Sequence, residues 1–185
     1  ISIAQRTGRI AIAWTQIDTG TGIRHVRLRE YDGTSWNEIS GSATGTGVSG
    51  AIANALAGVE SHNAQPSLAY LGNDLFVAWN AYSDQSSHVA VARYIASTGA
   101  PQIVSLTETT NRFSQPKLVA SASVLQMIFL DSRDHIYAKR WNGTSMMEEI
   151  PGDASGIGIS LTGRSVDSLA ASIDASGRAS IGWVD

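Results

Sequence analysis

The chain has 185 residues, of which 43% are hydrophobic and only 16% charged, so it can bury a core and does not have the composition of a disordered segment. A formal net charge of −3, with Lys117 and Lys139 as the only lysines beside eleven arginines, excludes the basic stripe by which proteins hold duplex nucleic acid. No apolar run reaches the length of a membrane-spanning helix, and the absence of cysteine excludes a disulfide framework, thiolate chemistry and cysteine-ligated zinc.

In chain order, Ile1 to Ile10 does not show the basic start and following apolar stretch expected of a secretory leader. It opens on a strand pattern, as though something preceded it. Internal repetition is the dominant signal. Four segments align on an aromatic anchor: ISIAQRTGRIAIAWTQ from Ile1, PSLAYLGNDLFVAWNA from Pro66, PKLVASASVLQMIFLD from Pro116, and AASIDASGRASIGWVD from Ala170. Trp14, Trp79, Phe129 and Trp183 stand at the same offset in each. Every unit holds two short apolar runs split by a turn, Thr7-Gly8, Gly72-Asn73, Ser176-Gly177 or the weaker Ala122-Ser123. These predict two antiparallel strands.

A second block follows in the first three units, from His25, His88 and His135. Tyr31-Asp32-Gly33-Thr34-Ser35-Trp36 matches Trp141-Asn142-Gly143-Thr144-Ser145-Met146 position for position. Asp-Gly and Asn-Gly are strong hairpin signals, so the block predicts a third strand, a tight turn and a fourth strand. Four antiparallel strands in about fifty residues make one propeller blade. The expected fold is therefore all-β: a β-propeller of four-stranded antiparallel blades, with about three and a half blades present. The expected units are 1–65, 66–115, 116–169 and a half blade at 170–185. The stretch 51–60 offers a weak short helix. Closed rings typically need at least four blades, so the chain is expected to be part of a larger ring, completed by more of the same chain or by self-association.

Units such as Pro66-Ser67-Leu68-Ala69 leading to Val77-Ala78-Trp79, followed by blocks such as Ile136-Tyr137-Ala138-Lys139-Arg140-Trp141-Asn142-Gly143-Thr144-Ser145, resemble the β-propeller repeats of bacterial secreted and cell-surface proteins. The style is that of sialidase-like and WD-like propellers. The resemblance implies an extracellular or cell-surface location. It does not extend to a true Asp-box, because Ser172 to Gly177 has one residue too many and Asp32 to Trp36 one too few.

The candidate chemistry is modest. The repeated anchors read as packing between blades. Trp36 and Trp141 lie beside polar turns and could stack on a sugar face. His25, His88 and His135 recur at strand starts without metal-ligand spacing. Asp131 and Asp134, with counterparts Asp18, Asp84 and Asp185, offer oxygen ligands to Ca²⁺, although no D-x-D-x-D-G loop is present; no other cofactor is expected. Arg24, Arg27 and Arg29, alternating beside Glu30 and Tyr31, make the best enzymatic constellation for sialidase-like chemistry.

Three functions follow. The first is a non-catalytic binding or adhesion module presenting loops 16–22, 80–87 and 131–135 to a glycan or protein partner. Its site residues are Trp36, Trp141, Asp131, Asp134 and Arg27, with no catalytic or metal residue assigned. The alternatives are a section of a sialidase-like glycoside hydrolase and a structural subunit of a surface layer or filament. Neither a nucleic acid nor a membrane span is expected.

Overall fold

In the computed structural model, three four-stranded antiparallel sheets and one two-stranded sheet follow one another along the chain. Residues 1–52, 62–82, 87–99, 101–107, 114–133, 135–160, 166 and 168–184 are described. The first sheet holds β1 (Ser2–Arg6), β2 (Arg9–Ile17), β3 (Arg24–Tyr31) and β4 (Trp36–Asn37). The second holds β5 (His62–Leu71), β6 (Asp74–Tyr82), β7 (Ser87–Tyr94) and β8 (Pro101–Leu106). The third holds β9 (Ser114–Ala120), β10 (Leu125–Leu130), β11 (Ile136–Trp141) and β12 (Met146–Met147), and the last holds β13 (Ser168–Ile173) and β14 (Ala179–Val184). Strands pair strictly with their chain neighbours. This is the propeller architecture expected of the repeat.

Period-two alternation explains how the sheets stack, since successive side chains leave a strand on opposite faces. In β6, Leu75, Val77, Trp79 and Ala81 pack on Ala11, Ala13, Val26 and Leu28 of the first sheet. Phe76 and Ala78 turn the other way, onto Leu125, Met127 and Phe129 of the third. Ile128 and Leu130 then pack on Leu169, with Ala171 and Ile181, of the last sheet. Runs such as LFVAW are apolar throughout because both faces of the central blades are covered.

Trp79 and Phe129 are fully buried between blades. Trp14 and Trp183 occupy the same repeat position with less cover, and Trp183 is 38% exposed. Trp14 shares its face with Ile12 and, on the paired strand, Ile3. Among the described residues no other blade covers that face, and Ile3 is 65% exposed.

The fourth strand is shorter than expected in two blades, at two residues each for β4 and β12. A carboxylate diverts the chain at the same place in both. Glu38 Oε1 accepts the Ala43 and Thr44 N–H groups, and Glu148 Oε1 accepts those of Gly152 and Ala154. The loops so formed then cover the edge of the third strand. Leu28 N–H donates to the Ser42 carbonyl at 3.0 Å, and Ala138 N–H to the Asp153 carbonyl at 2.8 Å. A covered edge does not template further pairing. The helix expected over 51–60 falls largely outside the described residues; among the described residues the one helical turn is a 3-10 segment, Val48–Ile52. No helix among the described residues is long and apolar enough to cross a membrane.

Candidate functional site

Antiparallel order brings the β2–β3 and β10–β11 connections, and the entries into β5, β9 and β13, to one end of the blades. The first strands of successive blades lie against one another and so define the central side. Side chains bridge them directly: Ser2 Oγ accepts Leu68 N–H at 3.0 Å, and Ser67 Oγ accepts Leu118 N–H at 2.8 Å.

The loop-bearing end carries a belt of buried polar groups. Trp79 Nε1 donates to Asn63 Oδ1 at 3.1 Å, while Asn63 Nδ2 donates to the Arg24 carbonyl at 3.2 Å. Ser87 Oγ donates to Asn80 Oδ1 at 2.7 Å, and His88 Nδ1 donates to the Thr107 carbonyl at 2.7 Å. Sequence reasoning passed over Asn63, Asn80 and Ser87. The available signal was a polar residue at the end of an otherwise apolar strand, as in Asn80 directly after Trp79.

Asp131 is the one buried carboxylate among the described residues. Its Oδ1 accepts the Arg133 and His135 N–H groups at 2.8 and 2.9 Å. Its Oδ2 meets the Tyr137 hydroxyl at 3.0 Å and His135 Nδ1 at 3.1 Å. The Tyr137 hydroxyl also reaches the Gly156 carbonyl at 2.7 Å, so both Asp131 oxygens are engaged within a network of their own blade. The residue expected to lead an oxygen-ligand site is thus committed to closing its own loop. Asp18 does the same, accepting the Gly20 and Thr21 N–H groups at 2.8 and 3.0 Å. Those backbone bonds hold its carboxyl below the usual range. Asp134, Asp84 and Asp185 lie outside the described residues. Among the described residues no three His, Cys, Asp or Glu side chains converge as metal ligands.

The histidines serve their own blades. His135 and His88 bond as above, and His25 Nδ1 lies 3.5 Å from Ser49 Oγ. Burial, with the Arg27 charge beside it, holds the His25 imidazole below its usual range.

The arginine constellation is dispersed by the pleat. Arg27 and Arg29 pair with Trp14 and Ile12 on one face, whereas Glu30 pairs with Ala11 on the other. Arg24 also leaves by that second face, where its Nη1 donates to the Tyr82 hydroxyl at 2.7 Å. Glu30 accepts from the Tyr70 hydroxyl at 2.6 Å and pairs with Arg9 at the opposite end of the blades. There it lines a cleft of about 380 Å³ with Arg6, Asn73 and Tyr94. Arg27 is buried, and its Nε and Nη1 make no hydrogen bond among the described residues.

The two tryptophans differ as well. Trp141 packs edge-on to Phe76 at 5.1 Å under the Arg93 guanidinium, so it belongs to the seam between the second and third blades. Trp36 is 46% exposed and lies 5.5 Å from the Tyr31 ring. Its repeat counterpart Met146 is buried against the preceding blade.

The buried phenols carry a pH dependence. Burial, then donation to Asp131, pushes the Tyr137 hydroxyl up to about 12; burial raises Tyr94, and burial with the Glu30 contact raises Tyr70. Unfolded phenols ionise near pH 10, so above that value the unfolded chain releases protons that the folded chain keeps. The stability these groups contribute is whole below pH 10 and falls as the pH climbs toward 12. Urea midpoints measured from pH 8 to 12 are expected to drop over the upper half of that range, and Tyr137→Phe to flatten part of the drop. A midpoint that does not move between pH 10 and 12 would contradict this.

No family model and no curated protein matches the chain. Solved structures do. The arabinanase Arb43A of Bacillus subtilis is 15% identical with a TM-score of 0.50, over 80% of this chain and 53% of that one. An endo-arabinase from Bacteroides thetaiotaomicron is 12% identical with a TM-score of 0.50, over 98% of this chain and 68% of that one. The sucrose-6-phosphate hydrolase of Lactobacillus gasseri is 13% identical with a TM-score of 0.51, over 96% of this chain and 39% of that one. This chain therefore spans between about two-fifths and two-thirds of their lengths. At such identity the likeness establishes the fold. The first functional expectation, a non-catalytic binding or adhesion module, is corrected by the names these structures carry: an arabinanase, an endo-arabinase and a sucrose-6-phosphate hydrolase.

Proposed function

We propose that the chain is a section of a propeller enzyme that hydrolyses glycosidic bonds, acting on carbohydrate outside a bacterial cell. The observation that carries the reading is the extent of the blade match, up to 98% of this chain on a structure named as an endo-arabinase. The loop-bearing end supports it physically. A glycosidase must hold an oxocarbenium-like transition state between fixed groups, and a hydrogen-bonded polar belt on paired strands is a frame for doing so. Within that frame Asp131 is engaged by the Arg133 and His135 N–H groups on one oxygen and faces the His135 ring and the Tyr137 hydroxyl with the other. Its part is to fix the β10–β11 loop.

The test is release of reducing sugar from arabinan and from sucrose 6-phosphate, with a fluorogenic sialoside for the finer likeness to sialidase-type repeats. Turnover about a hundredfold or more above the blank on at least one of them is expected. No release from any of the three would overturn the reading.

A further inference from the structure

Two glutamines occupy a backbone conformation that their side chains disfavour. Gln65 has φ 54° and Gln115 has φ 50°, the left-handed region in which a Cβ crowds the following carbonyl. Each also precedes a proline, which further restricts it toward extended backbone. Glycine would avoid most of this strain.

Both sit at matching β-bulges on neighbouring central strands. In the second sheet Ala64 pairs with Asn80 and Ser67 with Ala78, so Gln65 and Pro66 together face Trp79. In the third, Ser114 pairs with Leu130 and Lys117 with Ile128, so Gln115 and Pro116 face Phe129. The last sheet pairs Leu169 directly with Trp183, without a bulge. A sheet of this repeat therefore forms without the strained residue. Strain kept at two equivalent positions and absent from a third is what a site leaves behind, since strained backbone persists where function uses it.

The glutamines meet. Gln65 Oε1 accepts the Gln115 N–H at 3.1 Å. The Gln65 Nε2 donor and the whole Gln115 carboxamide have no hydrogen-bond partner among the described residues. Gln65 is exposed and Gln115 half-buried, on the central side of the loop-bearing end. A carboxamide offers donors and acceptors without charge, which matches a sugar hydroxyl that both donates and accepts.

We propose that Gln65 and Gln115 form a carboxamide subsite that hydrogen-bonds the hydroxyl groups of a neutral glycan. The inference rests on the glycan-cleaving reading and assigns it a substrate class. Calorimetric titration with arabinotriose, for the wild type, Gln65→Gly and Gln115→Gly, tests it, with thermal melts run in parallel. Each glycine variant relieves strain, so it is expected to melt at or above the wild type while binding about tenfold more weakly. Unchanged affinity in both variants, a clearly lower melting temperature in both, or no binding by the wild type would overturn the inference. Glutamine-dependent binding without hydrolysis would uphold the subsite and sink the catalytic reading. Hydrolysis with KM unchanged in the glycine variants would do the reverse.

Discussion

Trp79→Ala is expected to destabilise the protein by about 3–5 kcal/mol, the range for removing a large aromatic from a core. Trp79 has no solvent exposure and packs within the cluster that joins the first two blades. Its loss would open a cavity at a seam where neither sheet can relax without breaking its ladder. It would also remove the indole N–H that donates to Asn63 Oδ1 at 3.1 Å. Trp183→Ala, at the same repeat position but 38% exposed, is expected to cost about 1 kcal/mol or less. Urea unfolding of the two variants gives the comparison directly. Equal losses would show that the repeat position, and not the neighbouring blade, sets the contribution of the anchor.

Gly158→Ala is the second large effect, at about 2–5 kcal/mol, from a left-handed conformation together with overpacking. Gly158 has φ 60°, and a Cβ there would stand 2.0 Å from the Ile136 carbonyl oxygen. Gly47 repeats the arrangement in the first blade, with φ 62° and 2.3 Å to the Val26 carbonyl oxygen. In both, the loop that replaces most of the fourth strand presses its backbone against the third strand, and Ile159 N–H donates to that Ile136 carbonyl at 2.8 Å. Gly72→Ala is the control, because φ is 58° but nothing lies within 4 Å of the added carbon. It is expected to cost only about 1–2 kcal/mol. Thermal melts in which Gly158→Ala and Gly72→Ala fall together would contradict the close approach.

Both effects come from the repeat, and their unequal legibility is instructive. The anchor was visible as an aromatic recurring at one offset, because packing against a neighbouring blade imposes the same demand on every unit. The close approach of Gly47 and Gly158 was not visible. Within SGSATGTGVSG and PGDASGIGISL, glycine reads equally as linker, turn or contact. The Glu38 and Glu148 caps were hidden for a related reason: a glutamate after a short strand carries no signal that its carboxylate will turn back on N–H groups four to six residues ahead. The constellation of Arg24, Arg27, Arg29, Glu30 and Tyr31 failed differently. Adjacency along a strand places neighbours on opposite faces, so Arg27 and Glu30 ended on two sides of the sheet.

Period-two hydrophobicity, hairpin turns and a repeated aromatic are local properties, and they alone determined the all-β class, the order of the strands within each sheet and the stacking of repeated units. Cover and convergence are not local. Whether Trp141 stacks on a ligand or on Phe76, and whether Asp131 is free or bonded on both oxygens, depended on which blade lay alongside and how the loops closed. The meeting of Gln65 with Gln115, fifty residues apart, is of the same kind. Each strand records its own alternation, but the groups that face a site are brought there by sheets packing on sheets.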